Sequence, residues 1–315
     1  MSLATETRPD RGRAELARAS EALAELSRAL TPVAVETFKP LEDALSDWRK
    51  PRTAGDLGPD FPSLLAGARR GLRGEREREA FNRALVAHLA SGLHLRLESR
   101  RLPEDVRERI PAALERLHAF LGEERSGYEP GDECFLRDVR FAAGWSVPCG
   151  SEVLDLRARL SPPASLRAAL AAGAPGLALR RLRPGGADPW FAPHTETRYL
   201  DEFDEAGWEA TYRNVASLLR RHTDVVGVTG YSWFYDPALD QISPRLAYLR
   251  RRPLGGGAIL LRGRSSDFDV RNALAKSQTR RRLYEAGRYT PVGYQMVWLR
   301  RDLLRWAERG RRASD

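Results

Sequence analysis

The sequence contains few of the residues by which catalytic and metal sites are most often recognised. Its two cysteines, Cys134 and Cys149, are too few and too far apart for a CxxC zinc site or a disulfide framework. It also has no G-x-S-x-G elbow, Walker loop, HExxH helix or Rossmann fingerprint. These absences remove the usual support for several large enzyme classes.

Long apolar runs are also missing. No stretch of about 18 apolar residues occurs, and the first twenty residues lack the apolar core of a signal peptide. We therefore expect a cytoplasmic protein without a membrane span. The 315 residues, of which 42% are hydrophobic, are enough for one large or two ordinary folded domains.

Lysine is scarce although the chain is basic. Only Lys39, Lys50 and Lys276 are lysines among 52 basic residues, so arginine is partly a background residue in this composition. The formal net charge is +9, but the basic runs alternate with acids, as in RGEREREAF (73–81), which is typical of a solvated helix face. The composition argues against a nucleic-acid partner and favours a small-molecule substrate. It leaves the oligomeric state open.

Hydrophobic periodicity divides the chain into two parts. Apolar residues recur at three- and four-residue spacing through most of the first 130 residues, which predicts helices. Beyond that point, extended and helical segments alternate. Strands are expected over 152–160, 176–183, 190–197, 225–235, 258–264 and 292–300, and helices over 165–173, 204–221, 243–251 and 268–287. The sequence predicts an α+β protein, with a helical domain over 1–130 and a mixed α/β sheet domain, which we predict to be the catalytic one, over 131–315.

The segment PWFAPHTETRYLDEFDEAGWEATY (189–212) is the best candidate site. His194 and Glu196 are two residues apart, so on a strand both side chains point to the same face. They could form a general base with its orienting carboxylate, or, with His222, a two-His-one-carboxylate Fe(II) site. The structural alternative is a hydrogen-bonded histidine at a strand end. Our site prediction includes no metal.

Acids and aromatics near this segment offer substrate contacts. Asp201 belongs to an acidic group that either caps the following helix or receives a cationic substrate such as an amine. In GYSWFYDP (230–237), Trp233 and Tyr235 share a face if the run is extended. That run is either sheet core or an aromatic wall of a pocket.

A glycine-rich segment, RPLGGGA (252–258), carries an R-x-x-G-x-G spacing at Arg252, Gly255 and Gly257. Glycines let the backbone approach a phosphate, and the arginine supplies the opposite charge. The alternative is an ordinary loop, because the residues that follow predict a strand rather than a helix with amides facing the anion.

These features together resemble the GNAT acyltransferase superfamily over roughly residues 150–305. The similarity consists of the mixed strand and helix order, the R-x-x-G-x-G spacing, and Tyr284, Gly287 and Tyr289 ahead of the last strand. The resemblance implies that Arg252, Gly255 and Gly257 bind the pyrophosphate of an acyl-CoA and that Tyr284 protonates the departing thiolate.

The sequence therefore favours an acyltransferase that moves an acyl group from an acyl-CoA thioester to an amine-bearing substrate. His194 or Glu196 would accept the proton of the attacking amine, and Trp233, Tyr235 and Asp201 would contact the substrate. Two alternatives stay open. One is a non-haem iron oxygenase using His194 and Glu196, and the other is a non-catalytic binding or regulatory protein.

Overall fold

A computed structural model describes residues 8–53, 56–123, 128, 133–171, 173, 188–196, 198 and 200–312. The chain divides into two compact units, Met1–Cys149 and Gly150–Asp315. The first is helical and the second is built on a mixed sheet, so the predicted α+β class is confirmed. That each part folds as an independent domain stays a prediction.

Helices dominate the first unit. They are α1 (Arg8–Leu30), α2 (Lys39–Ala44), α3 (Phe61–Ala68), α4 (Gly74–Ser91), α5 (Leu93–Glu98), α6 (Glu104–Arg107), α7 (Ile110–Gly122) and α8 (Glu133–Ala142), with a 3-10 turn at Val35–Phe38 and a short strand β1 (Ser146–Pro148). α4 and α5 are separate helices, and Gly92 between them caps the end of α4.

The core of the first unit forms where α1, α4 and α7 pack together. Leu23 and Leu85 are fully buried there, and the rings of Phe38 and Phe81 meet edge-on at 5.4 Å. The buried Arg83 donates from Nε to the carbonyl of Leu121 at 2.7 Å. This contact satisfies a carbonyl at the C-terminal end of α7, where a cation is also favoured by the helix dipole.

The second unit alternates strands and helices. Its elements are β2 (Glu152–Arg159), α9 (Pro162–Ala171), β3 (Pro189–Thr195), α10 (Glu205–Arg221), β4 (Gly227–Ser232), a 3-10 turn (Trp233–Tyr235), α11 (Leu239–Ile242), a second 3-10 turn (Pro244–Leu246), α12 (Ala247–Gly255), β5 (Ile259–Arg262), α13 (Asp267–Ala275), α14 (Gln278–Glu285), β6 (Tyr294–Leu299) and α15 (Arg300–Arg312). The strand predicted over 176–183 lies outside the described residues.

The strands of this unit lie in the order β2-β3-β4-β6-β5. β3 runs antiparallel to β2 and parallel to β4, while β6 runs antiparallel to both β4 and β5. The parallel pair is joined by the crossover helix α10, as parallel strands require. Asp204 caps α10 by accepting a hydrogen bond from the Gly207 amide at 2.7 Å.

The sheet buries both faces. On one face, the interlocking rings of α10, β6 and α15 form an aromatic core, with Tyr212 and Trp298 5.1 Å apart and Trp298 and Trp306 5.4 Å apart. On the other face, α9 covers a smaller core made of Ala158, Leu160, Ala168, Trp190, Ala192, Leu261 and Val297. We call these the α10 face and the α9 face.

Two expected elements end differently in the structure. The run predicted as one strand over 225–235 leaves the sheet after Ser232, whose side chain accepts from the Phe234 amide and starts the 3-10 turn. The helix predicted over 268–287 is two helices, because Ser277 caps the start of α14 by accepting from the Arg280 amide at 3.2 Å.

Within the described ranges, no helix is both long and apolar enough to cross a membrane.

Neighbouring glycines at the end of α12 allow a matched test of packing. A Cβ at Gly256 would lie 2.0 Å from the buried indole of Trp298, whereas a Cβ at Gly255 meets nothing within 4 Å. We expect Gly256→Ala to lower the free energy of unfolding by about 1–3 kcal/mol. This change lowers the thermal unfolding midpoint by several degrees. Gly255→Ala is the control and should leave the midpoint within about 1 °C. Differential scanning calorimetry measures both, and equal midpoints would contradict the packing described.

Candidate active site

His194 is held by a buried carboxylate. Its Nε2 lies 2.9 Å from Oδ2 of Asp155 on the neighbouring strand. The Asp155 side chain is 3% exposed, whereas that of His194 is 23% exposed. The pair, which we call the dyad, thus has a buried anchor and a ring that reaches the surface.

Strand register explains why these two residues meet. Asp155 is opposite Ala192 in the antiparallel pair of β2 and β3, and opposed residues point to the same face. His194 lies two residues beyond Ala192 and shares that face, which is the α9 face. A carboxylate accepts hydrogen bonds, so Asp155 stabilises the tautomer that carries its proton on Nε2. Nδ1 then has a lone pair that can accept a proton.

Glu196 has a different partner from the one the sequence suggested. Its carboxylate receives two hydrogen bonds from Arg198, from Nε at 2.8 Å and from Nη2 at 2.7 Å. This forked geometry is characteristic of arginine and carboxylate pairs. The structure therefore places the orienting carboxylate of His194 at Asp155 and uses Glu196 to hold the turn after β3.

The parallel pairing of β3 and β4 is confined to the first residues of both strands. Val226 donates to the carbonyl of Pro189 at 3.0 Å, and Phe191 is opposite Val228. No later partner pair between these strands is recorded in the described residues. Pro193 supplies a physical reason, because proline has no amide hydrogen for a ladder. The carboxyl ends of the two strands thus lie side by side without a continuous ladder, next to His194.

A groove lies among α10, α12 and α15, the helices on the α10 face. It has a volume of about 580 Å³ and is lined by Glu205, Pro244, Arg245, Ala247, Tyr248, Arg251, Arg252, Gly255 and Trp306. Glu205 is the first residue of α10, and the residues from Pro244 to Tyr248 precede or begin α12. The positive ends of both helix dipoles therefore border the groove. We call this feature the arginine groove.

The three arginines of the groove are not equivalent. Arg252 bridges two carboxylates of α10, reaching Glu205 at 2.7 Å and Glu209 at 2.9 Å. Its charge is therefore compensated, and it ties α12 to α10. Arg251 is largely exposed and shares Asp240 at 3.3 Å, and Arg245 is exposed at the groove rim. These two are better placed to meet an incoming anion.

The predicted glycine cradle lies at the C-terminal end of α12. Gly255 lines the arginine groove, but the amide of Gly257 donates to the Leu254 carbonyl at 3.0 Å, and Gly257 adopts φ +92°. This is a helix C-cap, in which amides satisfy the last carbonyls of the helix. A strand follows, as the alternative sequence interpretation expected. The structure brings Arg252 and Gly255 to one groove and gives the Gly257 amide an internal partner.

Tyr235 lies in the interior, beside a buried carboxylate. The residue is 1% exposed, and its ring packs on Phe234 at 4.7 Å. Burial raises the pKa of the Tyr235 hydroxyl, and the nearby charge of Glu152 raises it further. Glu152 is itself buried and accepts a hydrogen bond from Thr195 at 3.0 Å. The role of Tyr235 as a substrate contact stays a prediction.

The remaining predicted residues are spread over the second unit. Trp233 is half-buried, with the Arg280 guanidinium 4.7 Å from its ring centroid. Asp201 is exposed in the turn before α10. Tyr284 is 39% exposed on α14, and its carbonyl accepts from the Gly287 amide at the helix end. Nothing in this arrangement places these three residues beside the dyad.

The alternative iron site is not assembled. The ring of His222 contacts Phe191 edge-on at 5.7 Å, and Phe191 points to the α10 face, opposite to His194. Among the described residues there is no group of three or more His, Cys, Asp or Glu side chains that could hold a metal ion. His222 and His194 are thus on opposite faces of the sheet, and the carboxylate of Glu196 is bound by Arg198.

Several residues that shape the site were missed by the sequence interpretation. Asp155 is the most important, and its one visible signal is a carboxylate inside the strand EVLDLRARL, where burial would favour an apolar residue. Arg245, Arg251 and Trp306 also line the groove, and the first and last of them are 61 residues apart in sequence. No short motif connects such distant positions.

Comparisons with known proteins are sparse. No protein-family model and no curated protein matches the chain. Among solved structures, it is similar to an acyltransferase in complex with CoA and 10C-teicoplanin, at 14% identity over 84% of this chain and 76% of that one, with a TM-score of 0.48. An acyltransferase in complex with decanoyl-CoA is 17% identical over 94% and 82% of the two chains, with a TM-score of 0.48. At such low identity and TM-score, these similarities assign neither a family nor a function to this chain.

The arginine groove generates a prediction that is independent of any reaction. Inorganic pyrophosphate should raise the thermal midpoint, and the rise should shrink as sodium chloride screens the charges. Arg245→Ala and Arg251→Ala should each weaken pyrophosphate binding roughly fivefold, which corresponds to about 1 kcal/mol. Arg301→Ala removes an equally exposed charge outside the groove and is the control. Calorimetric titration distinguishes the groove from general basicity, since equal losses in all three variants would refute a localised site.

Proposed function

We propose that this chain is an acyltransferase that transfers an acyl group from an acyl-CoA thioester to an amine-bearing acceptor. The observation that carries the proposal is the dyad. A partly exposed imidazole with its Nε2 anchored by the buried Asp155 can remove a proton at Nδ1. Acyl transfer to an amine requires such a base, because the attacking nitrogen must lose a proton.

The chemical step follows from this geometry. The amine nitrogen of the acceptor attacks the thioester carbonyl carbon, and its proton passes to Nδ1 of His194. The tetrahedral intermediate then collapses and the C–S bond breaks, and the His194 imidazolium returns the proton to the thiolate, so CoA leaves as a thiol and the base is regenerated. Asp155 stabilises the imidazolium that forms, as a buried carboxylate beside a charged ring does. Glu196 is committed to Arg198, so His194 is the base in this proposal.

Two further features suit an acyl-CoA. The interrupted ladder between β3 and β4 leaves room for a donor arm that contains amides, since amides can pair with strand backbone as a peptide does. The arginine groove on the α10 face offers positive charge to the phosphates. In open sheets, ligands bind outside the carboxyl ends of the strands, where the interrupted ladder and His194 lie. Membership of the GNAT superfamily, and the acid role of Tyr284, stay predictions.

Thermal shift with acetyl-CoA, octanoyl-CoA and decanoyl-CoA is the first experiment. A ligand that binds only the folded state raises the midpoint, and a thousandfold excess over Kd contributes about 4 kcal/mol. We expect a rise of several degrees with at least one of these esters. The absence of a response to every ester, at low ionic strength, would refute the proposed donor and leave a non-catalytic binding protein.

Substitution of the dyad tests the chemistry. The rate is measured by detecting released CoA with a thiol reagent. His194→Gln should lower kcat by about 100-fold or more, as removal of a general base does. Asp155→Asn should have a similar effect, because an amide can donate to Nε2 and force the proton onto Nδ1. Neither change should alter the Kd of the acyl-CoA more than about twofold.

Glu196→Gln is the matched control for these variants. It also neutralises a carboxylate beside the same strand end, and we expect it to keep kcat within about threefold. A loss in Glu196→Gln as large as that in His194→Gln would contradict the assignment of the base to the dyad.

A further inference from the structure

The loop between α2 and α3 contains an arginine with a buried side chain. This residue is Arg52, and its side chain is 8% exposed. Oδ1 of Asp56 lies 3.9 Å from Nη1 of Arg52, which is too far for a hydrogen bond. Among the described residues, Nε of Arg52 has no hydrogen-bond partner. Buried charged groups are normally hydrogen-bonded, so this guanidinium lacks an acceptor that its burial calls for.

The surroundings of Arg52 hold the guanidinium without supplying that acceptor. Its Cζ lies 5.1 Å from the ring centroid of the buried Trp145. It also lies against the backbone of Gly58, where a Cβ would be 3.2 Å from Nη1 and 3.5 Å from Cζ. Gly58 adopts φ +105°, a conformation that favours glycine. An indole ring attracts a cation, but it offers no oxygen lone pair to the N–H groups.

A second buried arginine lies beside the same indole. Arg140 on α8 is 3% exposed, and its Cζ lies 5.3 Å from the Trp145 ring centroid. Its Nη1 donates to the backbone carbonyl of Asp56 at 3.0 Å. Arg52 and Arg140 thus place two positive charges around one indole, and the Asp56 carboxylate places one negative charge near them. The charge balance of these three residues is positive, which favours an anion.

The Asp56 carboxylate connects this buried guanidinium to the surface. The Asp56 side chain is 46% exposed, and its Oδ1 accepts a hydrogen bond from the Gly58 amide at 2.8 Å. That bond holds the carboxylate in the loop rather than in contact with Arg52. Because Nη1 of Arg52 lies next to a carboxylate that reaches solvent, an anion can approach the guanidinium from this side.

We propose that the first unit has an anion site at Arg52, which binds a phosphate group through the hydrogen-bond donors of its guanidinium. The planar fork of arginine matches the oxygens of a phosphate, which can accept from more than one of its nitrogens, Nε included. Arg140 adds positive charge, and Asp56 opposes the bound anion by like-charge repulsion. The site lies within the helical unit, so the proposal does not depend on the proposed acyl transfer.

The Nε–H resonance of Arg52 reports binding at this site and not at the arginine groove. It is observed in ¹H–¹⁵N spectra of the full chain and assigned through bonds from the Arg52 backbone. The probes are inorganic phosphate and glycerol 3-phosphate, each compared with sodium chloride at equal ionic strength. We expect at least one probe to shift this resonance saturably. Tighter binding of the ester identifies a phosphorylated molecule as the ligand, tighter binding of inorganic phosphate identifies the free anion, and either supports the proposal.

Asp56→Asn removes the opposing charge and keeps an oxygen that can accept from the Gly58 amide. We expect it to tighten phosphate binding about fivefold, because charges about 4 Å apart interact appreciably even in water. A purely structural role of Arg52 predicts no such gain. Asp60→Asn is the matched control, since Asp60 is an exposed carboxylate at the start of α3 that caps no helix amide. It should change the Kd by less than about twofold.

Three results would overturn the proposal: an Arg52 resonance that neither probe moves, the same movement with sodium chloride at equal ionic strength, or equal Kd values in Asp56→Asn and Asp60→Asn. Both substitutions change exposed side chains, so the folded protein remains available for the comparison.

Discussion

The hydrogen bond between Asp155 and His194 depends on one constraint, the antiparallel register of β2 and β3. Because side chains alternate along a strand, a shift of one residue would turn Asp155 to the α10 face and leave it unpaired among aromatic rings. Burying a carboxylate without a partner is costly, so this register is favoured by the dyad itself as well as by the apolar residues around it. The same interaction selects the tautomer of His194. Structure and proposed chemistry thus share a single contact.

The α10 face of the sheet contributes mainly to stability, and the polar residues of the proposed site lie elsewhere on the sheet. The α10 face holds Tyr212, Trp298 and Trp306 in edge-on contact, which fixes α10 and α15 against the strands. The polar residues of the site lie at the carboxyl ends of β3 and β4, where Pro193 breaks the ladder. Because the aromatic core is rigid, the sheet can position the dyad beside the interrupted β3 and β4 ladder without losing stability.

How much of this could be predicted from sequence varies with the range of the interactions. Local patterns predicted the strands around Leu156, Phe191 and Val297 and the helix beginning after Asp204, because periodicity and capping depend on neighbouring residues. The partner of His194 could not be predicted in this way. Asp155 is 39 residues away, and the register of two strands depends on the whole sheet. The cap at Ser232, which ends the predicted strand in a 3-10 turn, was not predicted either. The same holds for the hydrogen bonds from Arg198 to Glu196.

The tautomer of His194 tests the account most directly. Long-range ¹H–¹⁵N correlation spectra of the wild type, assigned with His194→Gln, distinguish a protonated ring nitrogen from one with a lone pair. We predict a proton on Nε2 and a lone pair on Nδ1, with the reverse pattern in Asp155→Asn. A wild-type spectrum with the proton on Nδ1, or a pattern unchanged in Asp155→Asn, would contradict the dyad and the base that it provides.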